Sequence, residues 1–402
     1  MKNLLIILLI LSADFVNAQS LEQYVKMALG NSSAIKNKVV DEQIARLKID
    51  EAHTFPDTQL DFGVYALQPE TRVGNQQWKA GVSQQIPWFG TNKAKENWLA
   101  RMSDLKKYDT DLAKRQLAYR VKELFYQMFE KQRLIFILKE NKQILKTYED
   151  MALGALENNR TTMTEVLKIR ARKNELHAKI YKAVQDLDRL QRQFNRLLER
   201  KEDLPVRLPV KLDPTEILIS EAGVDNFPSL QKIKESKAVF VAERKWTEKK
   251  KLPKIKFGLD YIPVSPRTDM AVFNNGKDIL MPKIGLSIPI FNRANRSQIE
   301  QAKLKEQQTE WAYTEQKIRL ENLLDKLHTD FQNEMVILMA AEKNIKETQL
   351  AIDVSLKGYE TAMLDYDKIL RLQLDKIQFQ LKALEATVQA FLIKARIDFL
   401  TK

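Results

Sequence analysis

Two long stretches of the chain, residues 91–153 and 290–357, contain neither glycine nor proline. Both are rich in Lys, Glu, Gln, Leu and Ala, residue types that favour helix. Their apolar residues recur at alternating spacings of four and three, the pattern of a coiled-coil seam. Ordinary globular helices are far shorter, and a 60-residue helix is about 90 Å long. The pattern therefore predicts long coiled-coil helices over 91–153 and 293–357, followed by second long helices over 162–200 and 365–400.

The apolar seams of the two stretches match one another at one constant offset. Leu117 and Leu320 lie 203 positions apart. The same offset relates four further pairs: Val121 and Leu324, Leu124 and Leu327, Met128 and Phe331, and Ile135 and Leu338. An offset kept over this length indicates an internal duplication. We therefore expect two tandem repeats, over 19–214 and 215–402.

The two repeats have the same predicted order of elements. Each opens with a shorter helix, over 20–54 in the first repeat and 215–251 in the second. A segment with strand-like alternation follows, over 57–88 and 254–290, and the two long helices complete the repeat. The basic, proline-containing stretch 201–214 joins the repeats as a linker.

In the strand-like segments, apolar and polar side chains alternate with the period of a β-strand. Leu60, Phe62 and Val64, for example, are separated by single polar or small residues. Each predicted strand is about ten residues long, which suits a tilted membrane-spanning strand. A soluble sheet with one face on a core gives the same alternation. Alternation alone therefore leaves both alternatives open.

The edges of the predicted strands favour the membrane alternative. Four strands cannot close into a barrel, and open edges in lipid leave unpaired backbone groups that cost several kcal/mol each. A soluble sheet would need helices on its apolar face, but the long helices have apolar seams that require helical partners of their own. Three copies of the chain supply twelve strands, which can close. Trp88, Phe89 and Phe291 lie where strands end, as expected of aromatic residues at a membrane interface.

The first eighteen residues have the features of a secretory signal peptide. Lys2 is followed by an apolar run and by Val16-Asn17-Ala18, a cleavage pattern of small residues. No later stretch reaches eighteen consecutive apolar residues, so no transmembrane helix is expected. The chain contains no cysteine, which excludes disulfides, thiolate metal sites and cysteine nucleophiles.

The net charge of +13 is spread along the helices and interleaved with 53 acidic residues. Interleaved charges are typical of solvated helix faces, and no aromatic-bearing groove motif accompanies them, so no nucleic-acid partner is expected. His53, His177 and His328 are far apart in the sequence. We therefore expect no catalytic residues, no metal site, no cofactor and no enzymatic activity.

Taken together, these features resemble the TolC-like outer-membrane efflux proteins. The resemblance rests on the signal peptide, the two tandem halves, Asn31 and the Asn226-Phe227-Pro228 run near the start of each half, and the strand-to-helix junctions. It also rests on the breaks GALENNRTTMTEVL (residues 154–167) and GYETAMLDYDKIL (residues 358–370). It covers essentially the whole chain after residue 18. The first junction, Ser83–Gly90, looks most like the heavy-metal branch of the family.

The resemblance implies a mainly α-helical homotrimer with a small β part, in the outer membrane of a Gram-negative bacterium. Twelve strands would form a β-barrel in outer-membrane lipid, and the long helices would form a periplasmic tunnel, or α-barrel. The tunnel would meet an inner-membrane pump through a periplasmic adaptor, so the protein would be a passive exit duct for efflux or type I secretion. The alternative is a soluble periplasmic coiled-coil adaptor or scaffold, whose strands form a small packed domain.

The resemblance also places candidate sites at the far ends of the long helices. The breaks there would form the adaptor-docking tip, with the residues Asn158, Asn159, Arg160, Thr161, Met363, Leu364, Asp365 and Tyr366. Some family members restrict the tunnel with aspartates just after the second turn, where this chain is basic. The candidate gate residues are Glu165, Asp367, Lys368 and Arg371. Lys368 and Arg371 are equally compatible with a solvated face outside the tunnel.

Overall fold

The computed structural model of the protein describes residues 21–360 and 366–402. The predicted signal peptide therefore lies outside the described residues, as do the predicted tip residues Met363, Leu364 and Asp365. Within the described residues, none of the helices combines the length and the apolar character needed to cross a membrane.

Most of the described chain is helical, which confirms the mainly α expectation. The helices are α1 (Leu21–Asn31), α2 (Ser33–Leu47), α3 (Thr91–Glu157), α4 (Met163–Leu197), α5 (Pro228–Lys250), α6 (Arg293–Glu360) and α7 (Tyr366–Thr401). The uninterrupted helices α3 and α6 contain 67 and 68 residues. They coincide with stretches that contain no proline. Proline is the residue that is least favourable in a helix interior.

The expected small β part is also present. The strands are β1 (Gln59–Val64), β2 (Glu70–Thr71), β3 (Gly74–Gln76), β4 (Trp78–Ile86), β5 (Lys254–Ile262), β6 (Val264–Ser265) and β7 (Ile279–Ser287). A four-stranded antiparallel sheet has the order β1-β4-β5-β7, and a smaller sheet has the order β2-β3-β6. The four longer strands lie in the two segments where the sequence alternates.

The chain divides into two compact units. The first unit takes residues up to Lys36, Asp111–Phe227 and Lys317–Lys402, and it holds α1, α4, α7 and the linker between α4 and α5. The second unit takes Asn37–Thr110 and Pro228–Gln316, and it holds both sheets with α2 and α5. The long helices α3 and α6 contribute to both units.

The first unit is held together by an aromatic cluster between α1, α3 and α4. The ring of Tyr24 meets Phe194 edge to face at 5.2 Å and lies 6.2 Å from Phe125. Its hydroxyl accepts a hydrogen bond from the backbone N–H of Arg207 at 3.1 Å. The Tyr24 ring is therefore packed against other aromatic rings, and its hydroxyl has the hydrogen-bond partner that a buried tyrosine usually finds.

The first short helix is interrupted where the sequence predicted a single helix over 20–54. Helix α1 ends at Asn31, whose side-chain amide donates to the carbonyl of Leu198 at 3.0 Å. The backbone N–H and hydroxyl of Ser33 donate to the carboxylate of Glu199 at 2.6 and 2.8 Å. Side-chain hydrogen bonds of this kind compete with helix continuation. These bonds also lower the pKa of Glu199.

The corresponding helix of the second half is shorter than the predicted range 215–251. A single 3-10 turn at Pro214–Glu216 is followed by residues outside any helix, and α5 begins only at Pro228. Proline is favoured in the first turn of a helix because it lacks the N–H that would remain unpaired there. Phe227, directly before Pro228, is buried.

The aromatic cluster generates a stability prediction. Phe194 is 0% exposed, and truncating a buried phenylalanine to alanine costs about 3–5 kcal/mol. We expect Phe194→Ala to lower the temperature at which helical circular dichroism is lost. Tyr181→Ala on the same helix is the control, because this side chain is 65% exposed. Equal effects of the two substitutions would contradict the packing described here.

Candidate functional site: a one-sided sheet and the ends of the long helices

The register of the four-stranded sheet places most of its apolar side chains on one side. Phe62 lies opposite Ala80, Ala80 opposite Tyr261, and Tyr261 opposite Leu280. Directly opposed residues share a face, so the apolar positions of all four strands align. We call this the apolar face. Its apolar members are Leu60, Phe62, Val64, Trp78, Ala80, Val82, Ile86, Ile255, Phe257, Leu259, Tyr261, Leu280, Pro282, Ile284 and Leu286.

The apolar face is exposed. Leu60 is 82% exposed and Ile284 is 80% exposed, and Phe62, Val64 and Leu286 are also classed as exposed. Contiguous exposed apolar surface of this kind marks a surface that contacts a membrane or another protein. In the described part of the chain, no strand pairs with the outer edge of β1 or of β7. The sheet therefore presents apolar side chains and two unpaired edges.

The opposite side of the sheet carries all the charged residues of these strands, together with Ile262, Ile279 and Met281. An ion cluster lies on this side. The Asp260 side chain is 0% exposed, and its carboxylate lies 3.1 Å from Lys79 Nζ and 2.5 Å from Lys283 Nζ. Gly81 lies opposite Asp260, and a Cβ atom there would come within 2.5 Å of Asp260 Oδ1. Glycine at this position therefore leaves the space that the carboxylate occupies.

Hydrogen bonds order the loops at the turn end of the sheet. Arg267 contacts Glu70 at 2.7 Å and forms paired hydrogen bonds with the carboxylate of Asp269 at 2.8 and 2.7 Å. The Arg267 hydrogen bonds lower the pKa of Asp269 to about 2. Gly74 has φ of 133°, and a Cβ atom there would lie 1.7 Å from the carbonyl oxygen of Ser265. The small sheet β2-β3-β6 thus depends on a glycine at this position.

The aromatic residues predicted to lie at a membrane interface are found at the other end of the sheet. The rings of Trp88 and Phe89 meet at 6.1 Å. Phe89 is largely exposed and Phe291 is fully exposed. The sequence analysis did not identify a second aromatic pair in this unit, Trp98 stacked on Trp246 at 4.6 Å. The separation of this pair in sequence, on α3 and α5, left no local signal for it.

A cavity of about 580 Å³ lies where the strands meet the helices of the second unit. Four lysines line it: Lys95, Lys249, Lys250 and Lys254. The remaining lining residues are apolar, aromatic, hydroxyl or amide side chains, and none of them is acidic. Lys250 Nζ lies 4.7 Å from the centre of the Trp246 ring, a cation–π contact. The cavity is therefore basic.

The predicted tip residues Asn158, Asn159, Arg160 and Thr161 form the turn between α3 and α4. Asn159 has φ of 54°, the left-handed conformation that asparagine tolerates. Its N–H donates to the carbonyl of Leu156, and that of Arg160 donates to Ala155, the hydrogen-bond pattern of a Schellman motif. The turn is thus a defined helix C-terminus followed directly by the next helix.

The candidate gate residues are brought together only in part. Asp367, at the start of α7, accepts hydrogen bonds from Arg371 at 2.7 Å and from Lys168 at 3.1 Å. Glu165 instead accepts a hydrogen bond from Thr161, and Lys368 is exposed. Lys168 was not among the predicted gate residues, although the repeat offset could have identified it. Lys168 and Arg371 are related by the same 203-residue offset as the seam positions.

Within the described residues, no group of three potential metal ligands converges.

Comparison with known proteins gives no matching family model and no match among curated protein sequences. Solved structures do match. The outer membrane protein VceC of Vibrio cholerae aligns with 95% of this chain and 96% of its own, at a TM-score of 0.73 and 12% identity.

Two further structures agree. CusC aligns with 96% of this chain and 92% of its own, at a TM-score of 0.77 and 14% identity. The outer-membrane channel OprN aligns with 95% of this chain and 90% of its own, at a TM-score of 0.74 and 14% identity. The chain has the fold of the TolC-like outer-membrane channels. The resemblance seen in the sequence is thereby confirmed as a likeness of fold. The predicted similarity to the heavy-metal branch is not confirmed.

The ion pairs of Asp367 generate a pH-dependent prediction. Hydrogen bonds from Lys168 and Arg371 lower the pKa of Asp367 in the folded protein. The resulting stabilisation is fully present above the ordinary aspartate pKa of about 3.9 and is lost as the pH falls through the lower native value. We expect Asp367→Asn to lower the melting temperature at pH 7. The difference from the wild type should shrink as the solution is acidified below that ordinary value.

The matched control is Asp375→Asn, because Asp375 lies on the same helix and is exposed. Its melting temperature should follow that of the wild type at each pH. A difference between Asp367→Asn and the wild type that persists unchanged in acid would contradict an origin in the ionised carboxylate.

Proposed function

We propose that the protein is an outer-membrane channel, a passive exit duct that works as a homotrimer. The observation that carries this proposal is the four-stranded sheet, which has one exposed apolar face and two edges that pair with no other strand of the described residues. Lipid would cover the apolar face. The outer edge of β1 in one copy would pair with that of β7 in the next, so that three copies close a twelve-stranded barrel with no free edge.

The charge distribution of the sheet supports this arrangement. The charged side chains of β1, β4, β5 and β7 all lie on the side opposite the apolar face. In a membrane barrel this side would face the water-filled interior, where charge is tolerated, while lipid-facing charge is destabilising. The aromatic residues Trp88, Phe89 and Phe291 would then lie at the level of the head groups.

The long helices suggest the rest of the assembly. We propose that α3, α4, α6 and α7 of three copies form a periplasmic tunnel, and that the two halves of each chain arose by duplication. The turn at Asn158–Thr161, with the break before α7, would dock on a periplasmic adaptor that links the channel to an inner-membrane pump. The protein would accordingly reside in the outer membrane of a Gram-negative bacterium and would require no cofactor.

The candidate gate follows from the same proposal. Asp367 ties the start of α7 to Lys168 on α4, and Arg371 contacts the same carboxylate. If these residues face the tunnel, threefold symmetry brings three copies of each together. Asp367 would then offset cationic repulsion that opposes a narrow closed end. Glu165 and Lys368 would flank this constriction.

The membrane-inserted sheet predicts opposite outcomes for two arginine substitutions in β7. Ile284→Arg places a charge on the apolar face, at a cost of about 2–4 kcal/mol near the bilayer midplane. Ser287→Arg places the same side chain on the polar side. We expect Ile284→Arg to reduce the amount of trimer in outer-membrane fractions and Ser287→Arg to leave it near the wild-type level. Wild-type protein released by osmotic shock alone would contradict the proposal and favour a soluble periplasmic scaffold.

The orientation of the channel predicts where its partner binds. Because the chain has no cysteine, single cysteines are specific probes. Arg160→Cys lies in the exposed turn after α3, and Met270→Cys lies in an exposed loop beyond β6. We expect crosslinking to a periplasmic protein from position 160 and none from position 270. The reverse pattern would contradict the proposed orientation.

A further inference from the structure

The four-stranded sheet carries more positive than negative charge, and all of this charge is on one side. We call this side the polar face. Its charged residues are Lys79, Lys254, Lys256, Lys283, Asp61 and Asp260. Four lysines and two aspartates leave a net charge of +2 in each copy. The apolar face contributes no charged side chain to these strands.

The two aspartates of the polar face do not neutralise its four lysines. Asp260 is buried between Lys79 and Lys283, at 3.1 and 2.5 Å. Both lysines remain more than one-third exposed, whereas Asp260 is 0% exposed. A solute above the cluster therefore meets these two ammonium groups rather than the Asp260 carboxylate, and Asp61 is the exposed carboxylate of the polar face. One negative charge shared by two lysines also leaves this cluster with a net positive charge.

Lys256 adds a further positive charge, and its side chain contacts a neutral group. Its Nζ donates to the neutral side-chain oxygen of Gln59 at 2.8 Å. Lys256 lies two residues from Lys254 on the same strand, so both project from the polar face. The row of lysines thus continues along β5 from the ion cluster towards the end of the sheet.

The row ends at the basic cavity. Lys254 lines this cavity together with Lys95, Lys249 and Lys250, and none of the lining residues is acidic. The cavity also has hydrogen-bond donors in Thr91 and Asn92. The Thr91 hydroxyl is buried and has no hydrogen-bond partner in the described part of the chain. Ammonium, hydroxyl and amide donors together suit an anion.

We propose that this surface makes the channel selective for anionic solutes, such as organic acids or phosphorylated compounds. The inference rests on the proposed function, since it requires the polar face to line the channel interior. Three copies of +2 would place six net positive charges around one lumen. Charge of one sign on the walls of a narrow passage raises the local concentration of the opposite ion. Such charges act over about 10 Å at 0.1 M salt.

The test is ion selectivity in planar lipid bilayers. Purified full-length protein is placed in a potassium chloride gradient, and the reversal potential gives the permeability ratio of chloride to potassium. We expect a ratio above one for the wild type at about 0.1 M salt. The ratio should approach one at 1 M, where charges act over only about 3 Å.

A series at Lys256 separates its charge from its size. Lys256→Arg keeps the net charge of +2, Lys256→Gln reduces it to +1, and Lys256→Glu reduces it to zero. We expect Lys256→Arg to keep the permeability ratio near the wild-type value. Lys256→Gln should lower the ratio, and Lys256→Glu should lower it further. Lys254→Gln is a second neutral variant that leaves Lys256 and the Asp260 cluster in place, and it should also lower the ratio.

Two results would overturn the inference while leaving the channel function intact. One is a wild-type channel that prefers potassium. The other is a permeability ratio that does not change between Lys256→Arg, Lys256→Gln and Lys256→Glu. A protein that forms no conducting channel in any bilayer would instead contradict the proposed function itself.

Discussion

In the four longer strands most apolar side chains point to the same side, and the rest of the structure depends on what covers that side. Backbone groups on the outer edges of β1 and β7 have no partner strand among the described residues. Exposed apolar side chains and open edges are both unfavourable in water. A lipid bilayer would cover the apolar face, but only closure of the sheet would satisfy its edges. The proposed trimer meets both requirements at once.

The polar side of the sheet complements this arrangement. Asp260 can be buried because two lysines flank it and because Gly81 leaves room for its carboxylate. A buried carboxylate without such partners would be costly. The cluster joins β4, β5 and β7, and its two lysines add to the positive charge that Lys254 and Lys256 give the same side of the sheet.

Several features could be read from the sequence because they depend on local pattern. The long helices follow from stretches without glycine or proline, and the strand faces follow from alternation. Other features depend on contacts between distant residues. Helix α1 ends at Asn31 because Asn31 and Ser33 bond to Leu198 and Glu199. Likewise, the Lys79–Asp260 contact requires the register between β4 and β5, which periodicity within either strand does not specify.

The most direct test of the account is an experimental structure of the protein after extraction from the outer membrane, by electron cryomicroscopy in lipid nanodiscs. We expect a threefold particle in which β1 of each copy is hydrogen-bonded to β7 of its neighbour. Lipid should surround the apolar face, and the Lys79–Asp260–Lys283 cluster should face the lumen. A single copy whose own helices cover the apolar face would contradict the account.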